Sequence, residues 1–319
     1  MTDLCLGPDL NADLLPLVQH PEQWAEARRS TAMLQMFEQQ IGVDDPASYN
    51  PLPDYVRDVG PNYYNRLRDG GFFAGLTLPL AIETPGLKAW DTENGVPTGK
   101  QAAFALTRAI NRVLAAGGPL LASYSTDDSL AASLTDFHDA SGAHIVIPID
   151  TVAIVLCRVA KAGSDLGVQG GITEAYPTCS VAQIIDLGKR LIDAGWLFRH
   201  LHMDIDEQHA KQLYSDARIA ADLKDLFNAC RAWGIPFGII LNGQRGDTPQ
   251  DYRTGFWEWF AYVRKALGGD PDRWIFESWK KNNLPVNLPE SSQFSHTGLL
   301  REVAALGPFP TVIHDWSQA

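Results

Sequence analysis

The sequence predicts a (β/α)8 TIM barrel, a single domain spanning residues 1–319. Three observations lead there. Apolar runs of strand length alternate with helix-length amphipathic segments along the chain, the pattern of successive βαβ units in a parallel sheet. Counted from Leu4, eight such strand–helix units follow, with strands near residues 4, 33, 76, 120, 169, 198, 236 and 274. Several of the runs end in acids, which are costly to bury unless paired, protonated or bound to a metal. Acids at strand ends therefore mark the working face of the sheet.

The stretch Val168–Asp206 carries this pattern most clearly. A first run ends at Glu174, an amphipathic segment follows, and a second run, Leu197-Phe-Arg-His-Leu-His202-Met-Asp204-Ile-Asp206, ends in two acids. Ahead of it, Asp3–Asp9 reads as a short apolar run broken by Gly7-Pro8, a strand entering a loop, and Pro21–Arg29 as a helix with proline in its first turn. Ala32–Phe37 suits a strand or a helix, and residues 42–61, rich in Pro, Asp, Asn and Tyr, a long loop. A helix is predicted near Tyr63–Asp69, closed by Gly70-Gly71. Phe72–Glu83 then reads as one strand, with Pro79 marking a bulge or an edge. Lys100–Ala116 is an amphipathic helix stopped by Gly117-Gly118-Pro119, and Leu120–Tyr124 a strand ending near Asp127-Asp128.

Further helices are predicted over about Asp150–Ala162, from a Ser180 cap to Ala194, and over Asp216–Trp233, Thr248–Leu267 and His296–Leu306. Strands at Ile235–Asn242 and Arg273–Trp279 complete the count. A rival count starts at Phe72, takes His144–Ile149 as a strand and closes with Thr311–Ile313, again giving a barrel. A doubly wound open sheet is the third arrangement, but no Gly-x-Gly-x-x-Gly follows any strand.

Composition narrows the partners. With 45% hydrophobic and 20% charged residues the chain can bury a large core. A formal net charge of −12 argues against nucleic acid or an anionic membrane and favours a small neutral or cationic ligand. No apolar run approaches the roughly 18 residues of a membrane span, and no signal peptide is visible. The four cysteines are scattered without a Cys-x-x-Cys pair, which fits reduced thiols and a cytoplasmic protein. Serine-hydrolase elbows, zincin motifs and Walker loops are absent from the sequence.

The acids at predicted strand ends are Glu83, Asp127, Asp128, Glu174, Asp204, Asp206 and Glu277, with Asn242 in the equivalent place on its own strand. Each has a structural explanation as well as a functional one. Asp127 or Asp128 can cap the segment beginning at Ser129, and Asp206-Glu207 can start a helix. Glutamate is a poor N-cap, so Glu174 and Glu277, each preceded by an apolar run and followed by an aromatic, are the expected catalytic pair. Glycoside cleavage needs two such groups, one carboxyl held protonated and one acting as nucleophile or base. Tyr176, His202 and Trp279 join Glu83, Asp127, Asp204 and Asn242 as candidate contacts for a sugar-like substrate. His200 shares the strand face of His202. Nine tryptophans supply stacking surface: Trp90 and Trp279 fall in strand-end loops, whereas Trp257, Trp259 and Trp274 read as packing residues.

In its strand pattern and these two glutamates the chain resembles the large superfamily of barrel glycoside hydrolases. In the biggest clan of that superfamily the catalytic glutamates end strands four and seven. Glu174 and Glu277 end strands four and seven in the rival count, and five and eight in the count from Leu4. The resemblance implies O-glycoside hydrolysis with Glu174 as general acid/base, Glu277 as nucleophile or base, and no cofactor. That clan has Asn before its acid glutamate, where this chain has Thr173. The series Glu174, Asp204, Asn242, Glu277, from four consecutive predicted strands, also resembles the metal site of xylose-isomerase-like barrels. That likeness implies a sugar isomerase or epimerase holding Mn2+ or Mg2+, with Asn242 where those barrels usually have His. A third reading is a non-catalytic barrel that binds a sugar or a protein at the same mouth.

Overall fold

The computed structural model describes residues 2–7, 14–37, 64–84, 86–88, 92–93, 96–138, 141–242, 248–277 and 287–307. Eight strands close a barrel: β1 (Asp3–Gly7), β2 (Thr31–Phe37), β3 (Leu80–Thr84), β4 (Ser123–Asp127), β5 (Gly170–Tyr176), β6 (Leu201–Ile205), β7 (Phe237–Leu241) and β8 (Arg273–Glu277). Each pairs in parallel with the next in sequence, and β8 pairs back onto β1. This is the count that starts at Leu4. Glu174 therefore lies on the fifth strand and Glu277 at the end of the eighth. In the rival count's first extra strand, His144 forms only an isolated bridge with His138, and the helix Ile149–Asp165 begins at its far end. Residues 311–313 lie outside the described ones.

Period-two alternation divides the core into two clusters. Outward residues such as Leu4, Leu34, Ile82, Ile172, Leu201, Met203, Ile239, Trp274 and Phe276 belong to the large cluster packed under the helices. Inward residues Cys5, Met33, Ala81, Ile240 and Ile275 form a separate small cluster inside the barrel. The helices present their buried stripes to the first cluster: Leu106, Ile110 and Val113 from Lys100–Ala115, and Val152, Leu156 and Val159 from Ile149–Asp165. Truncating a fully enclosed outward residue such as Leu201 to alanine is expected to cost about 2–5 kcal/mol.

Helix ends follow local chemistry. Ser180 and Thr248 form reciprocal capping boxes with Gln183 and Asp251, and Asp206 caps Glu207–Leu213 through the N–H of His209. Gly234 ends Asp216–Trp233 at φ +72°, a conformation that costs glycine little. The third unit departs from the predicted single strand. Phe72–Gly75 is a short helix whose two phenylalanines are buried, and β3 starts only at Leu80, after Pro79. Proline has no N–H to give a ladder but keeps its carbonyl, which accepts from Leu34.

Inside the barrel the rings of His200 and His202 stack, with centroids 4.0 Å apart. The neighbouring inward positions are Gly171 and Gly238. A Cβ at Gly171 would collide with the backbone and ring of His200, and one at Gly238 would lie 2.6 Å from the His202 ring.

Candidate active site

The register places the polar residues at the carboxyl end of the barrel. Asp127 pairs with Thr173, Ala175 with Asp204 and Gly7 with Glu277. Layers of such a barrel draw four side chains from alternate strands. Phe37, Asp127, Asp204 and Glu277 thus form the uppermost full layer, from β2, β4, β6 and β8. Gly7, Glu83, Thr173 and Ile240 form the layer beneath. Among the described residues, three carboxylates ring the mouth and a fourth, Glu83, sits under them.

Glu83 is 3% exposed. Its Oε2 accepts two hydrogen bonds, from Gln35 Nε2 and from Thr173 Oγ1, each at 3.1 Å. The Thr173 hydroxyl also lies 2.6 Å from Ser125 Oγ. Burial raises the Glu83 pKa well above the ordinary carboxylate value, and the charges of Asp127, Asp128 and Asp204 add to the rise. The Thr173 hydrogen bond opposes it. Glu83 is thereby held protonated over a pH range in which an ordinary carboxylate is ionised.

Asn242, just beyond β7, donates from Nδ2 to Asp204 Oδ1 at 2.7 Å, which orients the Asp204 carboxylate. Glu277 is buried at 3% exposure, its Oε2 standing close to the bare α-carbon of Gly7 on the paired strand. Glu83, Asp127, Asp204, Asn242 and Glu277 therefore lie at one end of the barrel, on its inner face.

Glu174 is not on that face. Its neighbour Thr173 points inward, so Glu174 points out of the barrel, where it is fully buried. Leu130 N–H donates to both of its carboxylate oxygens, at 3.0 and 3.1 Å, and Ala131 N–H to Oε2 at 3.3 Å. These are the first amides of the helix Ser129–Thr135, which Asp128, its N-cap residue, does not cap with its side chain. The cap expected of Asp127 or Asp128 is thus supplied by Glu174 from the next strand. Burial raises its pKa well above the ordinary value, the charge of Asp128 adds to the rise, and the two amides oppose it.

Two more expectations change, one for the same reason of facing and one for depth in the barrel. Tyr176 points outward, and its hydroxyl donates to Asp222 Oδ2 at 2.7 Å on the helix Asp216–Trp233. His202 does face inward, but beneath the layer of Glu83 and Thr173 and with no exposed surface. Its Nε2 lies 3.4 Å from Arg273 Nη1. Arginine can only donate, so Nε2 is the acceptor and the ring is neutral, in keeping with a pKa driven well below the usual value by burial and by Arg273. Trp279 and Trp90 lie outside the described residues. Trp274 and Trp259 are core residues and Trp257 packs against the core, as read from the sequence.

The metal set Glu174, Asp204, Asn242 and Glu277 is not assembled, because Glu174 lies on the opposite face of its strand. Among the described residues no group of three or more His, Cys, Asp or Glu side chains is placed to hold a metal ion. The clan placement on strands four and seven is not met either: those strands lead into Asp127 and Asn242. Gln35, Ser125 and Thr173 escaped the sequence reading. Ser125 alternates with Asp127 on β4, whereas Gln35 and Thr173 come beside Glu83 only through the strand register.

No family model and no curated protein matches the sequence. Solved structures do resemble the fold. GH5_18 from Streptomyces cattleya, in complex with GlcNAc, aligns with a TM-score of 0.53 at 12% identity, over 97% of this chain and 82% of that one. A GH26 β-mannanase from Bacteroides ovatus covers 94% of this chain and 88% of its own, with a TM-score of 0.49 at 10% identity. Phosphonopyruvate hydrolase, in complex with oxalate and Mg++, reaches a TM-score of 0.44 at 12% identity, over 95% and 81%. At these identities the likeness is one of fold, and the chain is a (β/α)8 barrel.

Proposed function

We propose that the protein hydrolyses an O-glycoside or a similar polyhydroxylated substrate at the carboxylate-ringed mouth. Glu83 would be the proton donor and Glu277 the nucleophile or base. The observation that carries this reading is the position of Glu83, a carboxyl held neutral by burial directly beneath three other carboxylates. Glycoside cleavage needs one protonated and one ionised carboxyl on opposite sides of the scissile bond. β3 and β8 are three strands apart around the closed barrel, so Glu83 and Glu277 enter its interior from different sides. Asp127, Asp204 and Asn242 would accept and donate hydrogen bonds to substrate hydroxyls.

Aryl glycosides graded by leaving-group acidity test this. Glu83→Gln should lose about 10²–10⁴-fold on substrates with poor leaving groups and little on dinitrophenyl glycosides, which leave without a proton. Glu277→Gln should lose comparable activity on both. Absence of turnover on a broad glycoside panel, or a Glu83→Gln variant indifferent to the leaving group, would remove the proposal.

A further inference from the structure

Glu83 Oε2 receives two donors from two different strands. Gln35 Nε2 can only donate, so an acid proton placed on Oε2 would meet it head on. The neutral carboxyl therefore carries its proton on Oε1. With Oε2 an acceptor, the single hydroxyl proton of Thr173 is directed to it. The Thr173 oxygen then receives the proton of Ser125, 2.6 Å away. Gln35, Ser125 and Thr173 are all buried, at 2% exposure or less, so bulk water does not compete for these bonds.

We infer that Ser125, Thr173 and Gln35 form a one-way hydrogen-bond chain into Glu83 Oε2 that leaves Oε1 as the proton-bearing oxygen, with Thr173 as the positioning residue of the acid. The role of that proton in turnover rests on the proposed hydrolysis; the direction of the chain does not. Direction fixes the sign of every perturbation. A donor to Oε2 stabilises the carboxylate, so removing it pushes the Glu83 pKa up. Were Glu83 instead donating to Thr173, removal of the hydroxyl would push the pKa down.

The experiment is a titration of the Glu83 carboxyl by carbon-13 NMR on the full chain, assigned by its disappearance in Glu83→Gln. Thr173→Val should raise the pKa and Thr173→Ser should return it toward wild type. Gln35→Met, which removes the other donor from a different strand, should also raise it, and it keeps the test valid if Thr173→Val does not fold. Ser125→Ala leaves the Thr173 donor in place and should shift the pKa less than Thr173→Val. A downward shift or no shift in both Thr173→Val and Gln35→Met overturns the inference.

With a glycoside substrate, Thr173→Val should lower kcat about tenfold at unchanged KM and move the basic limb of the kcat profile upward. The titration needs no substrate. Upward shifts in a protein that turns over no glycoside would leave the chain intact and remove the hydrolase reading.

Discussion

Glu174 holds Leu130 by its backbone: the amide donates to both oxygens of the carboxylate, at 3.0 and 3.1 Å. The bond ties β5 to the first turn of the helix that follows β4. A glutamate whose sequence surroundings suggest an acid catalyst is here an anchor for an otherwise uncapped helix. Glu174→Gln keeps a carbonyl acceptor in the same place and is expected to retain near-wild-type turnover. Glu174→Ala orphans two buried amides and should cost about 1–3 kcal/mol per unsatisfied group. Urea unfolding of the two variants, beside turnover on the best glycoside found, checks this; a glutamine variant that folds normally but is inactive would return Glu174 to the site.

The pH dependence of stability has an identifiable contributor in His296. Its ring is fully buried, Nδ1 lies 3.1 Å from Asn287 Oδ1, and burial lowers its pKa to about 3. In the unfolded chain a histidine titrates near 6.5. Between these values the unfolded state binds more protons, so the contribution is complete above about 6.5 and shrinks as pH falls toward 3. Glu83 and Glu174 work in the opposite sense, since their raised pKa values make stability fall as pH rises above the ordinary carboxylate range. His296→Gln isolates the first term. Its stability against pH between about 4.5 and 6 should be flatter than wild type by about 1.4 kcal/mol per pH unit. Parallel curves would show that His296 titrates normally in the fold.

Gly238 is required by its neighbour. A methyl group there would press on the His202 ring at 2.6 Å and on the Ile275 side chain at 3.0 Å. Gly238→Ala should destabilise by about 1–3 kcal/mol. Shrinking the ring in Gly238→Ala/His202→Ala should recover part of this, giving a coupling above 0.5 kcal/mol in a double-mutant cycle. Additive effects would mean that the two positions do not share this space.

Asp204 depends on Asn242 for its orientation. Asn242→Asp would place two carboxylates 2.7 Å apart, and such a pair retains a shared proton. The variant should lose roughly tenfold in kcat/KM, least at low pH where the pair keeps its proton, with melting temperature little changed. Equal loss at every pH would detach Asp204 from substrate binding.

Because Glu174 faces away, the four residues of the metal reading do not converge. Added Mn2+ or Mg2+ should therefore leave both the melting temperature and the activity unchanged. Stabilisation that saturates at near-stoichiometric metal would restore the isomerase reading.

The choice between the count from Leu4 and the count from Phe72 fell to the structure, while sequence by itself determined the strand–helix alternation that predicts a barrel, most helix boundaries and the acidic strand ends. These follow from local physics: apolar periodicity, capping residues such as Ser180 and Thr248, and glycine stops such as Gly234. It went astray at Phe72–Gly75, where two buried aromatics read equally well as strand, and at Glu174. Tertiary structure alone decided which acids share a site. Adjacent residues of a strand face opposite sides, and only pairing with β4 and β6 turns Thr173 toward Glu83 and Glu174 toward Leu130. The same holds for the Glu83 carboxyl. Its proton is kept by burial and by Asp127, Asp128 and Asp204, charges far from it in the chain and brought close only when the barrel closes.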